Sequence, residues 1–280
     1  MTFWRSKITE EMVKKASDGY IKACSFPAVT SARFEAGSNA LLTATYSQKC
    51  PEIGKKRQFS KIFSTTQTGQ VLATMPMRGE ATDSISAHGK NDVSVTISKL
   101  KSFKGEDVNL LEVWKQGQIS QTLNLTEVDL HGAVYYDSEL GGLVMNSSDT
   151  KVAFIAEAKK PKNIPFFPTK KSPNNDTLYG REYTFQEEWG EQMVGKSQSV
   201  VVVVDLPSLS VDVLREEFFP DNLSPGQLQW AGENEIIGIV VDSLPYRLGL
   251  IYCTNRPSGL FKLNLVEHTF DIIKVIFNLK

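Results

Sequence analysis

The chain has little of what disulfide-stapled or membrane-bound proteins require. Its 280 residues include only three cysteines, and no apolar run approaches the roughly 20 residues that span a bilayer. Because Cys24, Cys50 and Cys253 are odd in number and far apart, they favour reduced thiols over a disulfide framework. The first 15 residues carry acidic side chains and no apolar segment like that of a signal peptide. These absences predict a cytoplasmic protein with no membrane partner.

An excess of charge of either sign is also missing. The sequence has 31 Lys and Arg against 32 Asp and Glu, which leaves a formal net charge of −1. A protein that binds nucleic acid through a general basic surface would carry a clear excess of positive charge. We therefore expect no nucleic-acid partner, and the 41% apolar residues are enough to build a core.

The common catalytic and metal-binding signatures are absent as well. The nearest approach to Gly-x-Ser-x-Gly, at residues 195–199, lacks the second glycine, and there is no dinucleotide-binding, phosphate-binding or His-Glu-x-x-His motif. His88, His131 and His268 are 43 and 137 residues apart, without the spacing of metal ligands. His131 and Gly132 resemble half of an oxyanion loop, but a turn before a strand is favoured. We expect no catalytic, cofactor-binding or metal-binding residue in this chain.

The pattern of apolar residues predicts one helix followed by many strands. Apolar positions among Lys and Glu, with Thr9 and Glu10 at the start, predict an amphipathic helix over roughly residues 9–23. From about residue 30, stretches rich in Val, Ile, Thr, Phe and Tyr alternate with turn residues, which indicates an all-β fold. The predicted strands are 41–46, 58–64, 70–75, 93–99, 109–114, 119–125, 151–156, 199–205, 210–214, 235–241, 260–266 and 270–277.

An internal repeat favours a propeller over a sandwich. Residues 142–155 and 227–240 share the order strand, polar turn, more apolar strand, and each copy is followed by a further strand pair at 200–214 or 259–277. A third strand pair, 110–125, precedes both copies. Four strands joined by turns form one blade of a β-propeller. The predicted fold is all-β, a partial β-propeller of four-stranded antiparallel blades with a short N-terminal helix; a sandwich is the alternative.

The sequence divides into a helical segment, 1–28, and an incomplete propeller, 29–280. An insertion at about 158–197, rich in Pro, Lys and Asn, interrupts one blade between its second and third strands. We interpret it as a solvated loop, with lysines that hold an acidic partner as the alternative. A divergent tail occupies about 267–280.

Several long strings of this sequence resemble one family. They are LLEVW to EAKKPK over 110–162, EEWGEQMVGKS over 187–197, NLSPGQ over 222–227 and PYRLGLIYCTNR over 245–256. They resemble the N-terminal region of acylaminoacyl-peptidase, also called acylamino-acid-releasing enzyme or acyl-peptide hydrolase, of the prolyl oligopeptidase group. The resemblance is strongest over about 108–265.

This resemblance implies a β-propeller with a short N-terminal helix, followed by a C-terminal α/β-hydrolase domain. Such enzymes remove an N-acylated residue from short peptides with a Ser-Asp-His triad. They are cytosolic, usually oligomeric, and use no metal or cofactor. The family's propeller has about seven blades and this chain has room for three or four. None of the triad matches a residue here, so we expect a chain that lacks the hydrolase domain and is inactive alone. The alternative is a non-catalytic module for protein interaction or oligomerisation.

A few side chains have two interpretations each. Trp114 and Trp230 lie on predicted strands, which favours the blade core over a peptide channel. Trp189, among acidic residues of the insertion, is the better candidate for the surface, although a structural role is favoured. Arg247 and Arg256 are candidates to pair with a substrate carboxylate, against loop-stabilising hydrogen bonds as the favoured interpretation.

The last predicted strand is expected to promote association of the chain. A terminal blade with no neighbour exposes one face and one strand edge, and exposed apolar patches and free edges promote association. We expect the chain to be poorly soluble or a homo-oligomer through this end. The residues concerned are Ile272, Ile273, Val275, Ile276 and Phe277.

Overall fold

The computed structural model describes residues 9–34, 41–65, 71–78, 83–160, 183–191, 193–214, 218–250, 252 and 255–277. The chain divides into two compact units, unit 1 (Met1–Val128) and unit 2 (Asp129–Lys280). Both units consist mainly of antiparallel strands.

The predicted N-terminal helix is confirmed. Helix α1 (Glu10–Cys24) begins after Thr9, whose side-chain oxygen accepts a hydrogen bond from the backbone N–H of Met12 at 3.2 Å. Glu10 and Glu11 lie in the first turn, where negative charge is favourable. Of its residues only Cys24 is buried. Among the described residues, no helix has the length and apolarity needed to cross a membrane.

Unit 1 contains two sheets of four strands, each a meander in chain order. A 3₁₀ turn (Pro51–Ile53) and a short helix α2 (Leu125–Val128) complete it. The strands are β1 (Ala28–Phe34), β2 (Leu41–Cys50), β3 (Lys55–Thr65), β4 (Val71–Arg78), β5 (Asp83–His88), β6 (Val93–Lys101), β7 (Asp107–Lys115) and β8 (Gln118–Asn124).

The two sheets of unit 1 share one interior. The ring of Phe59 meets that of Trp114 edge-on, with centroids 5.1 Å apart, which confirms the core position predicted for Trp114. Arg57 crosses from β3 to the fully buried carboxylate of Glu112, with an N–O distance of 2.6 Å. This bidentate pair satisfies a charge that would otherwise be costly to bury.

The thiols of Cys24 and Cys50 are buried and free, as expected. Burial and a hydrogen bond to Glu52 raise the pKa of Cys50 to about 12, so this thiol is protonated and unreactive at neutral pH. Cys253 lies outside the described residues.

Unit 2 repeats the same architecture with two further four-stranded meanders, as the internal repeat predicts. Because consecutive strands are neighbours in every sheet, the pattern is that of propeller blades, without the Greek-key connections typical of a sandwich. The predicted fold class is confirmed. The strands are β9 (Leu143–Met145), β10 (Lys151–Glu157), β11 (Ser199–Asp205), β12 (Ser210–Leu214), β13 (Leu223–Trp230), β14 (Glu235–Asp242), β15 (Ser258–Asn264) and β16 (Thr269–Phe277).

The core of unit 2 lies between its two sheets. The apolar run Val200–Val204 is buried at every position, as expected of a strand covered on both faces. Ile236, Phe261 and Leu263 belong to the same cluster. Trp230 is also buried there, and its indole N–H donates to the carbonyl oxygen of Val144 at 3.2 Å, so its predicted core position is confirmed.

The predicted tail forms the edge strand of the last sheet. β16 pairs with β15 and completes the four strands. Ile272 and Ile273 are about half exposed, as the sequence predicts for an uncovered end. The side chains of Val275, Ile276 and Phe277 lie outside the described residues.

Candidate functional site

The polar side chains of unit 2 converge where three connections meet. These are residues 129–142 before β9, the described parts of residues 158–198 between β10 and β11, and the described parts of residues 243–257 between β14 and β15. Hydrogen bonds tie the first connection to the end of β10 and the third to the end of the second. We call this surface the loop face.

Glu157 is the buried centre of the loop face. One carboxylate oxygen accepts the hydroxyl proton of Tyr135 at 2.6 Å, and the other accepts from the Ser197 hydroxyl at 2.7 Å. The backbone N–H groups of Ser197 and Gln198 donate to the same carboxylate. Burial, followed by the charge of Glu157, raises the pKa of Tyr135, so its phenol stays protonated and remains a donor.

A second ion pair lies beside this centre. The Lys196 ammonium is 2.7 Å from a carboxylate oxygen of Asp137 and 4.5 Å from the centre of the Tyr135 ring. Burial acts to raise the pKa of Asp137, but hydrogen bonds from Lys196 and from the backbone of Leu140 and Gly141 outweigh it and lower that pKa. Asp137 is therefore held as a carboxylate.

Arg247 joins three segments of the loop face. Its Nε donates to the carbonyl oxygen of Ser197 at 2.7 Å, and its remaining nitrogens donate to Glu187, to the Gln198 side chain and to the carbonyl oxygen of Asp221. The carboxylate that Arg247 binds thus belongs to the chain itself. The loop-stabilising interpretation of Arg247 is confirmed.

Arg256 also contacts its own loop. Its guanidinium donates to the carbonyl oxygen of Gly249 at 2.6 Å and to that of Asn255 at 2.9 Å. Loop stabilisation therefore holds for both arginines.

The second half of the insertion corrects one prediction and confirms another. Trp189 and Met193 are almost fully buried in the core of unit 2, so the surface position considered for Trp189 is wrong and the structural role is right. A turn folds this segment back on itself, because the Trp189 N–H donates to the Lys196 carbonyl oxygen and Met193 pairs with Gly190. Residues 187–198 are therefore a packed part of unit 2 rather than a solvated loop. The lysine-rich residues 161–182 lie outside the described residues.

The three histidines belong to different elements. His131 is buried in the turn that precedes the Val134 bridge, with Nδ1 2.8 Å from the Gly132 carbonyl oxygen, and burial lowers its pKa. His268 stacks on Phe218, and His88 pairs across β5 and β6 with Ser94. Within the part of the chain that the structure describes, no group of His, Cys, Asp or Glu could hold a metal ion.

Sequence reasoning missed Glu157, Tyr135, Asp137 and Lys196 as one cluster. Their separations reach about 60 residues, and no short motif joins them. Only the position of Glu157 and Ser197 at the two ends of the insertion carried a signal, because the ends of an insertion must meet where adjacent strands pair.

The family model and the curated relatives that match this chain belong to the same family. Residues 8–275 match the family described as the N-terminal domain of acylamino-acid-releasing enzyme. The chain is 38% identical over 179 residues to the acylamino-acid-releasing enzyme of Rattus norvegicus, which covers 59% of this chain and 24% of the rat protein. For the Homo sapiens enzyme, identity is 37% over 184 residues, covering 60% and 25%, respectively. The chain thus spans about a quarter of the length of the curated relatives it matches.

Among solved structures, an acylaminoacyl peptidase of Pyrococcus horikoshii aligns with a TM-score of 0.40 and 10% identity, covering 91% of this chain and 33% of that one. The β-propeller domain of the Trilobed protease from Pyrococcus furiosus aligns with a TM-score of 0.38 and 9% identity, covering 92% and 59%, respectively.

Proposed function

The chain belongs to the acylamino-acid-releasing enzyme family through its N-terminal domain, and on that basis we propose that it is the propeller part of a serine hydrolase that releases N-acylated amino acids from short peptides. The observation that carries this proposal is the family match over residues 8–275. The repeated four-stranded sheets support it, since each is built as a propeller blade.

In this proposal the reaction takes place outside the 280 residues. A C-terminal α/β-hydrolase domain supplies the Ser-Asp-His triad, and the propeller restricts access so that only short, unfolded acyl-peptides reach it. We expect these 280 residues by themselves to be inactive. We further propose a cytoplasmic location and no metal or cofactor.

The loop face supports a scaffold role. Glu157 and Arg247 have their charges committed to groups of the same chain, so neither offers a free charge to a substrate. Catalytic acids and bases need a pKa matched to proton transfer, whereas the pKa of Tyr135 is raised and that of Asp137 is lowered. These shifts hold both groups in the form in which they stabilise the fold.

Hydrolysis of a chromogenic acetyl-amino-acid anilide tests the proposal. We expect the purified chain to release no chromophore above the buffer rate, while the intact rat enzyme, as the positive control, does so. Turnover by the 280 residues alone, retained through a second purification step, would show that the chain contains its own nucleophile.

A second candidate function is a non-catalytic module for interaction or oligomerisation. Large apolar side chains exposed on the loop face favour it, because soluble monomers rarely group such residues. A pull-down of the intact rat enzyme with the tagged chain tests one form of this role, in which the module joins the enzyme's oligomer. Capture that an excess of untagged chain abolishes supports this form, and absence of capture contradicts it.

A further inference from the structure

The face that the sheet β9–β12 turns toward the sheet β13–β16 is apolar over only part of its length. Alternate residues of β11 share this face, and Val201 and Val203 on it belong to the core of unit 2. The next residue on the same face is Asp205, and it pairs across β10 with Lys151. Val203 pairs across β12 with Asp212. Three charged residues therefore occupy the end of a face whose other members are packed in the core.

The two sheets leave a cavity of about 390 Å³ at this charged end. Small-molecule sites in proteins have volumes of about 300–1,000 Å³, so this cavity is large enough for a small ligand. His268, in the turn between β15 and β16, stacks on Phe218 with ring centroids 6.0 Å apart, and both rings line the cavity. Its apolar side chains are Val203, Val213, Leu214, Phe218 and Leu265, and its polar ones are Lys151, Asp205, Asp212 and His268.

The charges that line this cavity are not paired with one another. The Lys151 ammonium donates to the side-chain oxygen of Asn234 at 3.0 Å. Asp205 accepts from the backbone N–H of Ser208 at 3.1 Å and from its hydroxyl at 2.5 Å. Between residues that the structure describes, no ion pair includes Lys151, Asp205 or Asp212. The cavity thus presents one cation and two anions, each able to bind an opposite charge.

This combination matches a zwitterion with an apolar body. The ammonium group of a free α-amino acid is complementary to the carboxylates of Asp205 and Asp212, and its carboxylate to the ammonium of Lys151. A large side chain would contact the apolar wall, where the rings of Phe218 and His268 favour an aromatic group. An N-acylated amino acid has no ammonium group and would leave both carboxylates without a partner.

We propose that this cavity binds a free α-amino acid with a large apolar side chain, preferably an aromatic one. The proposal does not depend on the proposed function, whose product is N-acylated and therefore lacks the ammonium group that this cavity recognises.

Isothermal titration calorimetry of the chain at neutral pH tests the recognised groups, with L-phenylalanine as the probe. A ligand of this size is expected to bind with a dissociation constant of about 1 mM or below. N-acetyl-L-phenylalanine lacks the ammonium group, and L-phenylalaninamide lacks the carboxylate. We expect each to bind at least about tenfold more weakly, because each loses charge-assisted hydrogen bonds.

A single substitution tests the position of the site. Asp212→Asn removes one negative charge from the cavity with little change in shape, and since this residue is exposed the fold should tolerate it. We expect the dissociation constant of L-phenylalanine to rise at least about fivefold. Asp271→Asn, at an exposed carboxylate on β16 outside the cavity lining, is the matched control and should leave that constant unchanged.

Three results would overturn the amino-acid site. They are no heat of binding up to about 20 mM L-phenylalanine, equal affinity for the N-acetyl or amide analogue, and equal effects of the two substitutions. The two analogues are compared on the unchanged chain, so the proposal remains testable if Asp212→Asn does not fold. Because calorimetry of binding is independent of hydrolysis, each of these results leaves the propeller proposal standing.

Discussion

Glu157 is the residue on which the order of the loop face depends most. It receives four hydrogen bonds from Tyr135, Ser197 and Gln198 while almost fully buried. In Glu157→Gln, an amide group replaces one carboxylate oxygen and faces donors. We expect the free energy of unfolding to fall by about 3 kcal/mol, measured by urea denaturation. Asp271→Asn, at an exposed carboxylate of the same unit, should change it by less than about 0.5 kcal/mol. If both variants lower the free energy of unfolding equally, the hydrogen bonds of Glu157 make no particular contribution to stability.

Asp137 makes the stability of the folded chain depend on pH in the acidic range. The pKa of its carboxyl group in the folded chain lies below the unfolded value of about 3.9. Its contribution to the free energy of unfolding is therefore present above the unfolded pKa and is lost as the pH falls through the folded pKa. We expect the thermal midpoint to drop steeply below about pH 4, and to drop less steeply in Asp137→Asn, whose midpoint is lower at neutral pH. A variant curve parallel to that of the unchanged chain would refute this role.

Individual residues were predictable where the strand pattern reached them. Trp114 and Trp230 lie on strands with clear apolar patterns, so their burial followed from sequence. Trp189 lies among Glu187, Glu188 and Glu191, and that local polarity left a surface position open beside the favoured structural role. The structure buries the indole because the turn at Gly190 sends the acids outward, to Arg247, to the Gly195 N–H and to the Tyr252 N–H.

At the scale of elements, most strands were predictable but two were not. β1 is exposed at all seven positions, so it has no apolar alternation to detect. β5, with the sequence DSISAH, has only Ile85 and Ala87 as apolar residues on its inner positions. Both strands are held by backbone pairing with β2 and β6, which leaves no trace in side-chain pattern.

Arg247 fixes the two loops of the loop face to each other. Arg247→Lys keeps one positive charge for Glu187 but cannot reach Ser197, Gln198 and Asp221 together. We expect amide hydrogen exchange in residues 187–198 and 243–257 to become at least about tenfold faster, measured by mass spectrometry, with the strands unaffected. Lys262→Met, which removes a surface pair with Glu235, is the control and should leave loop exchange unchanged. Unchanged loop exchange in Arg247→Lys would mean that other contacts hold the loops.

At the scale of the whole molecule, the last sheet is a source of association. Leu260 and Ile273 are exposed on β15 and β16, and exposed apolar residues near a free strand edge promote aggregation. We expect Leu260→Ser with Ile273→Ser to raise the concentration at which light scattering begins at least about twofold. Val266→Ser, an exposed apolar residue in the turn between these strands, is the control. If light scattering begins at the same concentration in both variants, the exposed residues of this sheet are not the cause of aggregation.

We propose that these 280 residues form a scaffold and contain no reactive nucleophile. Labelling with a fluorophosphonate, which reacts with activated serines, tests it directly when the modified peptides are mapped by mass spectrometry. We predict no serine labelled above the level seen in denatured chain. Selective labelling of one serine in the folded chain would contradict the claim, and Ser94, opposite His88 across β5 and β6, is the first position to inspect.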